Sequence, residues 1–215
     1  MEPLYTDSGV FIALEGGEGA GKSTQARLLD SWLTGLGHDA VLTREPGGTD
    51  VGTALRSIVL SHSTGDLSDR AEALIYAGDK AEHVDTVVLP ALNEGRVVIT
   101  DRYVDSTLAY QGAGRALDID GLEFVARWAT SNLRPHLTVL LDVDPAVGLS
   151  RFESPDRIEA EPVEFHQRVR QSFLDLAAAD PEHYLVVDAG LGQDDIHRQI
   201  AARVEPWLSQ AKATA

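Results

Sequence analysis

The sequence contains no cysteine. Disulfides, thiolate catalysis and cysteine-ligated zinc or iron–sulfur centres are therefore excluded. Cations are scarce: three lysines and fifteen arginines stand against 34 acidic residues, a formal net charge of −16. Nucleic acids want a basic face, so neither DNA nor RNA is expected as the main partner. A small phosphorylated substrate remains open, since a local cluster of cations can hold one. Long apolar runs are missing too. Val10-Phe11-Ile12-Ala13-Leu14 is far too short to span a bilayer. Met1–Asp7 has neither the basic nor the apolar region of a secretion signal. A cytoplasmic protein without membrane association is the expectation. With no internal repeat, linker or low-complexity block, 215 residues suit one domain.

What is present alternates between two patterns. Short apolar runs at 10–14, 40–43, 97–101, 137–142 and 184–188 read as strands. Stretches at 22–35, 51–60, 70–92, 121–130, 165–179 and 196–208 read as helices. Strands separated by helices predict βαβ units and a parallel α/β sheet. The strands are apolar throughout because such a sheet is covered on both faces. Arg151–Glu164 is polar and without period, and reads as a mobile excursion. The closing Gln-Ala-Lys-Ala-Thr-Ala is expected to fray.

Gly16-Gly17-Glu18-Gly19-Ala20-Gly21-Lys22-Ser23 fits G-x-x-x-x-G-K-[ST] between a strand and a helix. Its glycines let backbone N–H groups turn inward on an anion, and the helix start adds its positive end. Lys22 suits the β- and γ-phosphates, and Ser23 a Mg²⁺ ion. A chance match arises in about one chain of this length in a hundred. The motif implies a nucleoside triphosphate but not its use, since GTPases, transport ATPases and small-molecule kinases share it.

Four further segments follow in order: Thr43-Arg44-Glu45-Pro46-Gly47-Gly48-Thr49, Asp101-Arg102-Tyr103, Ser106-Thr107-Leu108-Ala109-Tyr110-Gln111-Gly112 and Asp156-Arg157-Ile158-Glu159. With the glycine loop they make the chain resemble the thymidylate kinases, the bacterial dTMP kinase family of P-loop nucleoside monophosphate kinases. The resemblance runs from about Val10 to Gly190. It implies a P-loop NTPase fold with a five-stranded parallel sheet, flanking helices and a short lid at about 151–163. It also implies a homodimer, and transfer of phosphate from ATP to dTMP with Mg²⁺, supplying dTTP for DNA synthesis.

By that resemblance, Arg102 clamps the acceptor phosphate and the transferring group, where a planar cation with fork geometry suits two converging polyanions. Asp101 holds the magnesium shell or orients the nucleophilic phosphate oxygen; its place before a helix also suits an N-cap. Glu18 reaches the deoxyribose 3′-hydroxyl, Tyr110 lies against C2′, and Gln111 bonds the thymine edge. Ser106 and Thr107 line the same pocket. Arg56 contacts the acceptor phosphate, and Pro46 packs against the nucleotide.

Two departures stand out. Tyr76 and Lys80 share a helical face, with Tyr76 stacking on thymine. Lys80 takes the place of the arginine that reads the thymine carbonyl, which implies weaker base reading. The lid has only Arg151 and Arg157 amid Glu153, Asp156, Glu159 and Glu161. Arg157 is assigned to the γ-phosphate, Arg151 to the nucleotide and Glu159 to the substrate side. A different nucleotide kinase, or a nucleotide-binding switch, are the competing readings; no guanine-selective motif favours the latter.

Overall fold

Five successive apolar residues and one glutamate form strand β1 (Val10–Glu15), buried along its whole length. Only the interior of a sheet covered on both faces accommodates such a strand. The computed structural model, which describes residues 3–210, puts β1 at the centre. Around it lie β2 (Ala40–Arg44), β3 (Val97–Asp101), β4 (Leu137–Asp142) and β5 (Tyr184–Asp188). Their order is β2-β3-β1-β4-β5, and every pair is parallel. Val10 pairs with Val97 and Leu14 with Asp101, so β1 and β3 end together. Residues 1–2 and 211–215 lie outside the described residues, and with them the first residues read for a leader and most of the segment expected to fray.

The helices are α1 (Lys22–Gly35), α2 (Asp50–Leu60), α3 (Asp69–His83), α4 (Leu89–Asn93), α5 (Val104–Thr107), α6 (Ile119–Ala129), α7 (Pro145–Leu149), α8 (Val163–Ala179) and α9 (Gln193–Val204). On one face of the sheet, Ala26, Leu29 and Leu33 of α1 meet Ile196, Ile200 and Val204 of α9 over Val10, Ile12 and Leu14. On the other, Phe11 and Ala13 pack with Val84, Val88, Tyr103 and Ala126.

Three features depart from the sequence reading. The helix expected over 70–92 is interrupted by a π turn at Val84–Val88. That widening falls just before Pro90, whose ring lacks an N–H and crowds the preceding turn. A short helix and π turn, α5 and Leu108–Gly114, run where only a motif was legible. Thirdly, residues 151–162 lack regular structure as expected but not contacts: Ile158 is buried against Tyr110 and Phe165.

Candidate active site

In an open parallel sheet, ligands gather beyond the carboxyl ends of the strands. Here the β1–α1 loop, Arg44–Thr49 after β2 and Asp101–Arg102 after β3 converge there. Gly21, at φ 91°, precedes α1, and no side chain caps that helix, which leaves its first N–H groups for an anion. Gly19, at φ 68°, lies so close to α7 that a Cβ would stand 2.3 Å from the Gly148 carbonyl oxygen. The loop is thus set against α7 with room for neither side chain. Lys22 Nζ, nearly buried, donates to the carbonyls of Gly16 (3.0 Å) and Gly17 (2.8 Å). Burial and then the Arg102 charge push its pKa down, opposed by Glu18 and Asp101. Ser23 Oγ donates to Asp101 Oδ2 at 2.5 Å. A hydroxyl beside a carboxylate offers the oxygen ligands that a hard divalent cation takes, so the residues present fit Mg²⁺.

Arg102 sits at φ 74°, left-handed backbone that costs a non-glycine residue about 1 kcal/mol or more. This turn folds its guanidinium back over the loop. Nη1 donates to the Gly16 carbonyl (3.2 Å) and Ser106 Oγ (3.1 Å), and Nη2 to Glu18 Oε1 (2.7 Å) and the Tyr110 hydroxyl (3.2 Å). Tyr110 also donates to Glu18 (2.8 Å), and its ring lies 4.9 Å beneath the guanidinium carbon. Burial works to raise the Glu18 pKa, but Arg102, Lys22 and the Tyr110 hydroxyl outweigh it and bring it to about 2. Glu18 is therefore a carboxylate at any ordinary pH.

Two cavities meet at this seam. One, about 450 Å³, opens over the glycine loop from Glu18 to Thr24, with Arg44, Asp101 and Arg151 at its rim. The other, about 100 Å³, is walled by Pro46 and Arg56, by Tyr76 and Lys80 of α3, and by the face from Ser106 to Gln111. Glu18, Glu45, Arg56, Arg102 and Glu159 line both. The Glu45–Pro46 peptide is cis. Arg56 Nη1 donates to the Pro46 carbonyl at 3.1 Å.

Each residue assigned to the acceptor from the sequence lines the smaller cavity, and Gly19–Ser23 line the larger. Two side chains have partners that the sequence did not reveal. Lys80 Nζ donates to Glu45 Oε2 at 2.6 Å, with His83 Nδ1 on the other oxygen at 2.8 Å. Arg157 is not brought to the glycine loop. Its Nε donates to the Val59 carbonyl (2.7 Å) and its Nη2 to Glu72. The lid arginine that reaches the loop is Arg151, on the Gly19 carbonyl. Arg157, assigned to the γ-phosphate from the sequence, is held here by a buried carboxylate on α3 and not at the glycine loop. His83 and His166 are buried, and the first bonds Glu45 and Thr43 Oγ1.

Sequence reading gave no role to Glu15, Glu45 or Glu72. Glu15, fully buried, accepts from the N–H groups of Tyr103 (2.8 Å) and Ser106 (3.1 Å) and from Ser106 Oγ (2.6 Å). It anchors the turn that carries Arg102. Its signal was a carboxylate closing an otherwise apolar strand. Glu72 precedes Tyr76 by one helical turn, which placed it on the same face.

Comparison with known proteins agrees with this geometry. The family model for thymidylate kinase matches residues 14–200. The thymidylate kinase of Cutibacterium acnes is 56% identical over 202 residues, covering 94% of this chain and 99% of that protein. That of Clavibacter sepedonicus is 56% identical over 206 residues, covering 94% and 97%. A crystal structure of thymidylate kinase from Ehrlichia chaffeensis matches with a TM-score of 0.78 at 29% identity, covering 92% of this chain and 99% of that one. The likeness extends over nearly the whole length and reaches the fold as well as the sequence: this chain belongs to the thymidylate kinase family.

Proposed function

We propose that this chain moves the γ-phosphoryl group of ATP to dTMP, with Mg²⁺, giving ADP and dTDP. Phosphorylation of dTMP, a step in nucleotide biosynthesis, is the activity of its family. One observation carries the assignment of sides: the glycine-loop cleft and the smaller cavity share Glu18 and Arg102 as a common wall. Two nucleotides entering from opposite ends would bring their phosphates together there. The loop N–H groups and Lys22 hold the triphosphate, and Arg102 with Arg56 holds the acceptor phosphate. Ser23 and Asp101 would hold the metal, which would supply charge neutralisation at the phosphates. The nucleophile is a phosphate oxygen, already ionised at neutral pH, so no general base is required. Catalysis rests on positioning and charge. Residues 151–163 act as the lid that excludes water, and Arg151 is their cation at the triphosphate.

An acceptor panel tests the reading. With ATP and Mg²⁺, dTMP should raise ADP release far more than dCMP, dGMP or AMP. ADP release unchanged by every acceptor would refute it.

We further propose a homodimer. Leu74 of α3 and Ile119, Phe124 and Trp128 of α6 are large apolar side chains more than half exposed on neighbouring helices. A second copy placing the same face against them would cover both. Sedimentation showing a monomer at micromolar concentration would reject this. The reaction belongs where nucleotide pools lie, in the cytoplasm, and the net charge of −16 opposes a nucleic-acid partner. Among the described residues, no helix is long and apolar enough to cross a membrane.

A further inference from the structure

Glu72 lies in the first turn of α3 and is 1% exposed. Its carboxylate takes hydrogen bonds from three side chains. Arg115 donates from Nε (3.2 Å) and Nη2 (3.2 Å), Arg157 from Nη2, and Gln111 from Nε2 at 2.8 Å. Burial alone would raise its pKa, but these donors outweigh that and hold it below the ordinary carboxylate range. At working pH Glu72 is thus ionised and can only accept.

That fixes a second group. An amide presents two donors on nitrogen and acceptor capacity on oxygen, and its rotation by half a turn exchanges them. Facing a carboxylate, Gln111 has one tolerable orientation: nitrogen toward Glu72, oxygen away. Gln111 lines the smaller cavity, and its Oε1 receives no hydrogen bond from the described residues. Lys80, on the same cavity wall, offers only N–H donors. Thr107 Oγ1, buried and without a partner there, can turn to donate or accept and enforces nothing.

We infer that Glu72 is a positioning residue for base choice: by taking the Gln111 amide nitrogen it presents the Gln111 carbonyl to the base, where it accepts from an imide N–H and rejects cytosine. The inference rests on the smaller cavity being the seat of the dTMP base. Thymine and uracil carry a hydrogen on N3, which the carbonyl can accept, whereas cytosine has a lone pair at N3 and would leave two acceptors facing each other. A buried polar group left so mismatched discriminates far more strongly than a missing methyl does. Lys80 adds to this, since a donor suits the thymine carbonyl and opposes the cytosine amino group.

Glu72→Gln separates orientation from packing. An amide partner satisfies Gln111 in either rotation, so the preference for oxygen toward the base is lost while the shape is kept. The ratio of kcat/KM for dTMP over dCMP should fall on the order of tenfold, with the remainder supplied by Lys80. A variant that is merely loosened would lose activity on both acceptors and keep the ratio, and a ratio within twofold of the parent overturns the inference. Should E72Q not fold, Q111L removes the amide beside an intact Glu72, and the same drop is expected; a ratio within twofold overturns the inference there too. In a third arm, calorimetry must show that the parent binds dTMP and that Tyr76→Ala, in the wall of the smaller cavity, weakens that binding. The absence of either result would overturn the seat of the base itself, a failure distinct from an unchanged ratio in a parent that binds dTMP.

Discussion

Glu18 and Glu72 both hold arginine, in different surroundings. The Glu18 side chain is 16% exposed and its partner Arg102 15%, and both line the two cavities. Glu72 is 1% exposed, lines neither cavity, and takes two arginines and a glutamine at once. An ion pair at a cavity wall can exchange its partner for an incoming phosphate without leaving a charge in a dry interior. A buried carboxylate that takes four donors has no such exchange open to it, since losing it would strand several partners at once. The same chemistry is therefore open to exchange in one place and tied down in the other, and the burial of the carboxylate with its number of donors decides which.

Substituting at each knot gives the widest contrast. Arg102→Ala should lower kcat by about 10³-fold or more, as for other arginines that neutralise a transferring phosphoryl group, with little change in denaturant midpoint. Glu72→Ala should do the reverse in emphasis. Arg157 would lose its carboxylate and Arg115 would be left with Glu161, at about 3 kcal/mol of stability by urea unfolding. If Arg102→Ala proved the more destabilising of the two, the contrast would be broken.

The lid arginines sharpen it. Arg151 touches the glycine loop and Arg157 touches Glu72. Arg151→Ala should therefore cost kcat about 100-fold, measured at saturating ATP and dTMP. Arg157→Ala should stay within severalfold in kcat and show its effect as about 1 kcal/mol of stability. Equal losses of kcat in both variants would mean that the two arginines share the phosphate.

These two arginines mark where the sequence stopped being readable. Strand β1, the glycine loop and the helix from Lys22 were legible because each is written locally: an apolar run, a fixed spacing, a period. Motif order picked out a set of side chains, from Glu18 to Glu159, that line one cavity. The choice between Arg151 and Arg157 was not, because both sit in one polar stretch without period, and what separates them is Glu72 and the Val59 carbonyl, far off in the chain. Glu72 itself reads as an ordinary acidic residue in a first helical turn, where it also suits the helix dipole. The α5 helix escaped because the turn at Arg102 and the π turn after Thr107 break the period by which helices are recognised.

An effect read in pH and not in rate concerns Glu15, which supports the Arg102 turn from behind. Burial first, and then the Asp105 carboxylate, raise its pKa from 4.5 to about 7, against the pull of Arg102 and of its hydrogen bonds to Ser106 and Tyr103. Asp105 is itself raised by burial, opposed by the Tyr184 hydroxyl and by the charges of Arg127, Arg134 and Lys80. Between about pH 4.5 and 7 the folded chain keeps a proton that the unfolded chain has released. The associated stability is present in full below the unfolded value and is lost as pH rises through the folded one. Glu15→Gln has no proton to give up at this site, and its amide oxygen can still accept from the two backbone N–H groups. Urea unfolding from pH 5 to 8 should therefore show the parent losing stability relative to E15Q, on the order of 2 kcal/mol across the range. A difference that stays constant with pH would mean that Glu15 is ionised throughout, and that the hydrogen bonds from Tyr103 and Ser106 outweigh its burial.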